Sequence, residues 1–188
     1  NTDYLQGSAT PKGLELLAEY SRNRLTAWAS YTLSKTNRTF DGKSIPFKYD
    51  SPHDVSLFAS YVVSNKSKAK HSVSAQVQFK NGYPYTLSPG SYPGMGLPAL
   101  PSGYGLDDSY GSVDFLPDSP NGRLKNYFRT DLNYTVDRKM NKGRLIWQFS
   151  LLNATNNKNP FAVYKKDDKY KAFVLIPMMP SVSVRRTW

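Results

Sequence analysis

Seven stretches of this chain alternate apolar and polar side chains with a period of two. That pattern constrains the fold more than any other feature, because successive side chains of a β-strand point to opposite faces. In "HSVSAQVQFK", residues 71–80, Val73, Ala75, Val77 and Phe79 fall on one side and Ser72, Ser74, Gln76, Gln78 and Lys80 on the other. The same split sets Leu14, Leu16, Ala18 and Tyr20 against Glu15, Leu17, Glu19 and Ser21. It recurs in "LTAWASYTLS" from Leu25, in "HDVSLFASYVVS" from His53, in "FRTDLNYTV" from Phe128, in "LIWQFSLL" from Leu145 and in the terminal "PSVSVRRTW". These stretches run to roughly nine to twelve residues, the length of a tilted strand that crosses a bilayer. Strands of soluble domains centre on about five or six.

The connections alternate in kind. Short basic turns follow the first, third and fifth strands: "SRNR" at 21–24, "NKSKAK" at 65–70 and "DRKMNKGR" at 137–144. Long loops follow the second, fourth and sixth, at 35–52, 81–123 and 156–172. The middle loop holds eight of the 12 glycines and seven of the 13 prolines. A loop that long argues against a compact soluble fold. Short turns at one end and long loops at the other are the pattern of an outer-membrane barrel.

The two faces differ in a way that supports lipid on one side. The polar face is mostly Ser, Thr, Gln and Asn with a few charges (Glu15, Glu19, Asp54, Arg129, Asp131), which suits a crowded wet lumen. The apolar face is Leu, Val, Ala, Phe and Tyr. Tyr20, Tyr31, Tyr61 and Tyr134 lie on it and are expected near the short basic turns, as an aromatic girdle at one interface. No apolar run is long enough for a transmembrane helix, and a mean hydropathy of −0.58 is compatible with alternating strands. The net charge of +11 belongs to solvated turns near anionic head groups. Lys66, Lys68 and Lys70 alternate with small residues and lack the aromatic platform of a nucleic-acid site, so no nucleic-acid partner is expected. Cysteine is absent, which removes disulfides and thiolate metal sites.

An open sheet is not viable in hydrocarbon, because each unpaired edge amide costs several kcal/mol there. Bacterial barrels have an even number of strands, eight or more. The first residue is Asn1, with no charged and apolar leader after it. The expectation is an all-β, antiparallel transmembrane segment of about seven C-terminal strands, spanning 1–188, whose remaining strands come from another part of the protein.

Several segments carry a family resemblance. "KGLELLAEYS", "LTAWASYTLSKTNRTF" and "IPFKYDSPHDVSLFASY" resemble the late barrel strands of TonB-dependent outer-membrane receptors. "NYFRTDLNYTV" and "WQFSLLNATNNKNPF" are similar to the same family, and "LIPMMPSVSV" resembles its final strand. The likeness covers nearly the whole chain apart from the Gly/Pro-rich loop. It implies a 22-stranded barrel around an N-terminal plug, in the cell outer membrane of a Gram-negative bacterium. It implies import of a scarce or large ligand (iron chelate, cobalamin, glycan or peptide) with energy from the TonB complex. The implied partners are the plug and earlier strands of the same receptor, the TonB complex through the N-terminal part, outer-membrane lipid and a surface lipoprotein. Arg186 departs from the family's terminal pattern, where an apolar residue or Tyr is common three from the end.

No catalytic set, metal site or cofactor is expected. His53–Asp54 begins a strand at the outer rim, and the other histidine, His71, is expected at the opposite end. Asp107, Asp108, Asp114 and Asp118 lack the regular spacing of a calcium loop. Glu15, Glu19, Asp54 and Asp131 either line a cation path or pair with Arg129, Lys80 or a plug, and pairing is the expectation. The candidate ligand-binding residues are the loop aromatics Tyr83, Tyr85, Tyr92, Tyr104, Tyr110 and Phe115, which either stack on a ligand or pack the loop on itself. Three rivals stay open: a non-TonB porin or adhesin barrel, an outer-membrane protease, and a soluble all-β binding module.

Overall fold

A computed structural model describes residues 7–40, 42–93, 112–166 and 169–188. The chain is all-β there. Its strands are β1 (Gly7–Arg22), β2 (Leu25–Phe40), β3 (Lys43–Pro46), β4 (His53–Asn65), β5 (Ala69–Lys80), β6 (Pro84–Tyr85) and β7 (Gly90–Pro93). They continue with β8 (Ser112–Phe115), β9 (Gly122–Arg123), β10 (Tyr127–Lys139), β11 (Arg144–Leu152), β12 (Pro160–Lys166), β13 (Lys169–Val174) and β14 (Met179–Thr187). Seven long strands form one antiparallel sheet in the order β1-β2-β4-β5-β10-β11-β14. They correspond to the seven alternating stretches of the sequence.

The loops are more ordered than their composition suggested. β2 runs six residues past the expected end at Ser34, and β3 folds back on it with Phe40 opposite Lys43. β6 pairs β9 and β7 pairs β8 inside the Gly/Pro-rich connection. β12 and β13 form a hairpin in the last loop. These pairings satisfy backbone groups that an irregular loop would leave to water.

At the other end the turns are tight. Arg22 pairs with Leu25, leaving a two-residue hairpin in which Asn23 takes a positive φ of 54°. Gly143 closes the β10–β11 turn at φ 85°, and a Cβ there would meet the Thr187 carbonyl oxygen at 1.8 Å.

The register places the apolar side chains together. Leu16 faces Tyr31, Tyr31 faces Val55, Val55 faces Phe79 and Phe79 faces Phe128. Nearer the short turns, Leu25, Tyr61, Val73, Tyr134, Phe149 and Val182 succeed one another across six strands. One face is thus apolar from β1 to β14. Tyr20, Tyr61 and Tyr134 sit near the short turns as expected. Tyr31 does not: it lies toward the long-loop end, where its hydroxyl is 2.8 Å from Nδ1 of His53.

Burial is inverted relative to a soluble domain. Among the described residues, Leu124 is the one large apolar side chain that is buried, while Asp50, Asp131, Asn153 and Asn159 are buried polar ones. All 16 residues of β1 and all nine of β14 are exposed. The chain exposes 14525 Å², against about 9,000 Å² for a compact monomer of its mass. The sheet thus leaves an apolar face uncovered, and its edge strands β1 and β14 have no second strand partner among the described residues.

Candidate ligand-facing site at the long-loop end

The site rests on an ion pair between the buried Asp50 and the exposed Arg123. Asp50 precedes β4, and its Oδ1 accepts from the Thr36 N–H at 2.8 Å. Its Oδ2 accepts from Arg123 Nη2 at 3.0 Å. Arg123 Nη1 donates to the carbonyls of Asp50 and Gly82, both at 2.8 Å. One guanidinium therefore ties three segments that are far apart in sequence, with its fork used on both sides. Beside it, Asn81 Oδ1 accepts from the His53 N–H at 3.0 Å, and Asn126 Oδ1 accepts from the Gly82 N–H at 3.2 Å.

This base aims a turn outward. The Phe47 N–H donates to the Thr36 carbonyl and the Asp50 N–H to the Phe47 carbonyl at 2.8 Å, which closes a four-residue turn with Lys48 and Tyr49 at its tip. Tyr49 is 58 % exposed. Its ring meets Phe47 edge-on at 5.7 Å and Tyr83 edge-on at 5.8 Å, and Lys48 Nζ lies 4.7 Å from its centroid. The result is a ladder of three rings with a cation at one side. Such a surface offers stacking faces and one positive charge to a ring-bearing or anionic ligand.

The expected loop aromatics divide. Tyr83 joins the ladder. Tyr85 packs on the loop itself, because Gly122 lies under its ring and a Cβ there would come within 2.6 Å. Phe115 stands exposed on β8. Tyr92 lies on β7, with its side chain outside the described residues, and Tyr104 and Tyr110 lie wholly outside them. Asp107, Asp108 and the Asp114 side chain are outside them as well. Sequence reasoning missed Tyr49 and Tyr170, whose hydroxyl donates to the Ser88 carbonyl at 2.7 Å and joins the last loop to the middle one. The signal for Tyr49 was "FKYDSP", where Asp, Ser and Pro in series mark a turn.

The expected rim and lumen charges are placed as follows. Lys80 Nζ lies 2.7 Å from Asp54 Oδ2. Arg129 Nε lies within 2.9 Å of both Asp131 oxygens. Glu15 and Glu19 stand on the exposed strand β1. His71 is at the short-turn end, bonded to the Tyr134 hydroxyl at 2.7 Å, far from His53. Among the described residues no three His, Cys, Asp or Glu side chains converge on a point that would hold a metal ion. Arg186 lies 3.8 Å over the Trp188 ring, so an aromatic face receives its charge.

Comparison with protein-family models, with curated proteins and with solved structures finds no match to this chain.

Proposed function

We propose that this chain is the C-terminal wall of a plugged outer-membrane transporter of the TonB-dependent type, with its long loops facing the ligand outside the cell. The observation that carries the reading is the apolar face that continues across seven antiparallel strands while both edge strands stay exposed. Lipid covers such a face, and further strands of the same receptor close such edges.

A second observation favours a plugged barrel over an open porin. Trp28 and Phe58 project from the mainly polar face and stack at 5.9 Å with their planes 20° apart. Leu17 is also on that face and 66 % exposed. An apolar island of this kind fits a lumen filled by protein better than one filled by water. The ligand class that suits the Phe47–Tyr49–Tyr83 ladder is a large ring-bearing one, such as a glycan, a chelate or an aromatic-containing peptide.

The test is extraction of the receptor from its membrane, followed by denaturing mass analysis of what travels with this chain. The expected result is recovery only with detergent, with the plug and earlier strands held to the chain until denaturation. Recovery as a folded, soluble species without detergent overturns the reading and makes a soluble binding module the leading one.

A further inference from the structure

Nearly all of the chain's net charge sits at the short-turn end. Segments 21–24, 65–70, 137–144 and 185–188 hold eleven Lys or Arg and one carboxylate side chain, Asp137, so this end carries +10 of the net +11. Backbone contacts fix the segments in one row. The Val62 N–H donates to the Arg24 carbonyl at 2.8 Å, and the Lys139 N–H donates to the Lys68 carbonyl at 2.9 Å. Gly143 lies against the Thr187 carbonyl. The row follows the ends of seven strands, roughly 30 Å at about 4.8 Å per strand spacing.

These charges are not compensated within the described chain. Arg144 Nε donates to Asp137 Oδ1 at 3.0 Å and its Nη2 to the other oxygen, which occupies the one anion of the row. Arg24, Lys66, Lys68, Lys70, Lys139 and Arg185 are exposed and have no ion-pair partner among the described residues. Like charge gathered in this way works against the compact fold and speeds the arrival of an opposite charge. Side-chain direction separates two occupants. Arg22, Arg138 and Arg186 share the apolar face, because Arg22 is opposite Leu25 and both of the others are opposite Leu145. Those three suit lipid head groups. The other eight stand at turn tips or on the polar face, and lipid does not reach them.

We propose that this row docks an acidic segment of a soluble protein, on the side of the membrane opposite the ligand loops. An extended segment of about nine residues spans it at roughly 3.3 Å per residue. Carboxylates along that segment supply the charge that Asp137 alone does not, and the field of the row steers their approach. The choice of protein over lipid rests on the membrane reading above, which turns the tips and the polar face away from the bilayer. The row lies on the wall, apart from the TonB contact that the family resemblance puts in the N-terminal part.

The experiment uses the whole receptor in nanodiscs of zwitterionic lipid. A fluorescent Glu-rich peptide of about ten residues, long enough to span the row, is titrated by anisotropy beside a Gln-rich peptide of the same length. The expected result is binding of the Glu-rich peptide alone, weakened by added salt. The triple variant Arg24→Gln, Lys66→Gln and Lys68→Gln is expected to weaken it about eightfold, taking roughly a factor of two for each exposed ion pair lost. Arg22→Gln with Arg138→Gln, on the apolar face, is expected to leave it within about twofold. Arg24→Lys with Lys66→Arg and Lys68→Arg is expected to keep it, which separates lost charge from lost folding. Unchanged binding in the Gln triple, an equal loss in the Arg22/Arg138 control, or displacement of the peptide by anionic lipid in the disc each overturns the inference. An oligonucleotide of equal charge that binds more tightly than the peptide overturns it as well. A receptor recovered without detergent overturns the membrane reading itself. A receptor that needs detergent but shows no turn-dependent peptide binding overturns this inference alone.

Discussion

The Asn153 N–H donates to Asp131 Oδ1 at 2.9 Å, and both residues are buried in a chain that buries little else. Asn153 is fully enclosed, with a positive φ of 48°. Its side-chain amide donates to the carbonyls of Asn157 and Ile176 at 3.0 Å each and accepts from the Asn157 N–H at 3.1 Å. Asn159 pairs with both backbone groups of Phe128, at 2.9 Å each. These amides take the place of a core at the long-loop end of β10, β11 and β14, because they bind the start of the last loop to its end.

Breaking that knot is expected to destabilise the fold strongly. Asp131→Ala leaves the part-buried Arg129 and the Asn153 N–H without their acceptor, a loss of about 2 kcal/mol. Urea titration of the folded receptor in detergent, followed by its change in gel mobility, checks this. A shift in midpoint no larger than that of an exposed control such as Lys142→Ala counts against it.

Asn153→Ala and Asn153→Gly separate hydrogen bonding from backbone conformation. Both lose the three side-chain bonds, but glycine accepts the positive φ without strain. Asn153→Ala is expected to be less stable than Asn153→Gly by about 1 kcal/mol. The same titration measures the difference, and equal values would mean that strain at φ 48° contributes nothing.

The two faces of the sheet are expected to tolerate charge unequally. Ala75→Arg puts a cation on the apolar face near mid-strand, where a lipid-facing Arg costs about 2–4 kcal/mol. Ser74→Arg puts the same side chain on the polar face at the next residue. On the proposed membrane reading, the amount of folded protein recovered from the membrane should fall for the first and stay near normal for the second. Equal amounts would remove lipid as the occupant of the Ala75 face.

The aromatic ladder is expected to matter to ligand and not to fold. Tyr49→Ala is expected to weaken ligand uptake about tenfold, near 1.4 kcal/mol, with unchanged folded receptor. Tyr85→Ala is expected to alter the loop instead, because that ring packs on Gly122. Transport by whole cells expressing each variant, normalised to receptor amount, distinguishes the two.

Loop tethering should depend on pH and salt through Lys43 and Asp118. Their charged atoms are 2.7 Å apart on the surface. The hydrogen bond to Asp118, then its charge, raises the Lys43 ammonium above its usual 10.5, and the same contacts hold the Asp118 carboxyl below its usual 3.8. Asp118 therefore helps above its unfolded value and loses the tether as pH falls through its lowered folded one. Lys43 helps below its unfolded value and loses the tether as pH rises through its raised one. Amide exchange at Ser44, expressed relative to the intrinsic rate at each pH, should be flat across neutral pH, rise on both flanks, and rise with added salt. A Lys43→Met variant that keeps the acid-side rise would assign it to another group.

The sequence by itself determined the seven long strands, the faces of the sheet and the alternation of short turns with long loops. Period-two patterning needs no distant partner: Val73 and Ser74 point opposite ways in any extended chain. It also determined that Lys80 and Arg129 would find carboxylates, because Asp54 and Asp131 share their polar face. The tertiary structure alone decided which polar residues are buried. Asp50 and Arg123 are 73 residues apart, Asp131 and Asn153 are 22 apart, and no local rule couples them. It decided that Tyr49 and not Tyr85 faces outward, because a turn closed by Asp50 lifts one ring and a glycine beneath admits the other. It also put Lys12 beside Lys35, since only the β1–β2 register brings those charges face to face. Side-chain direction is a property of one residue and its neighbours, whereas a contact across a loop depends on how the whole sheet is paired.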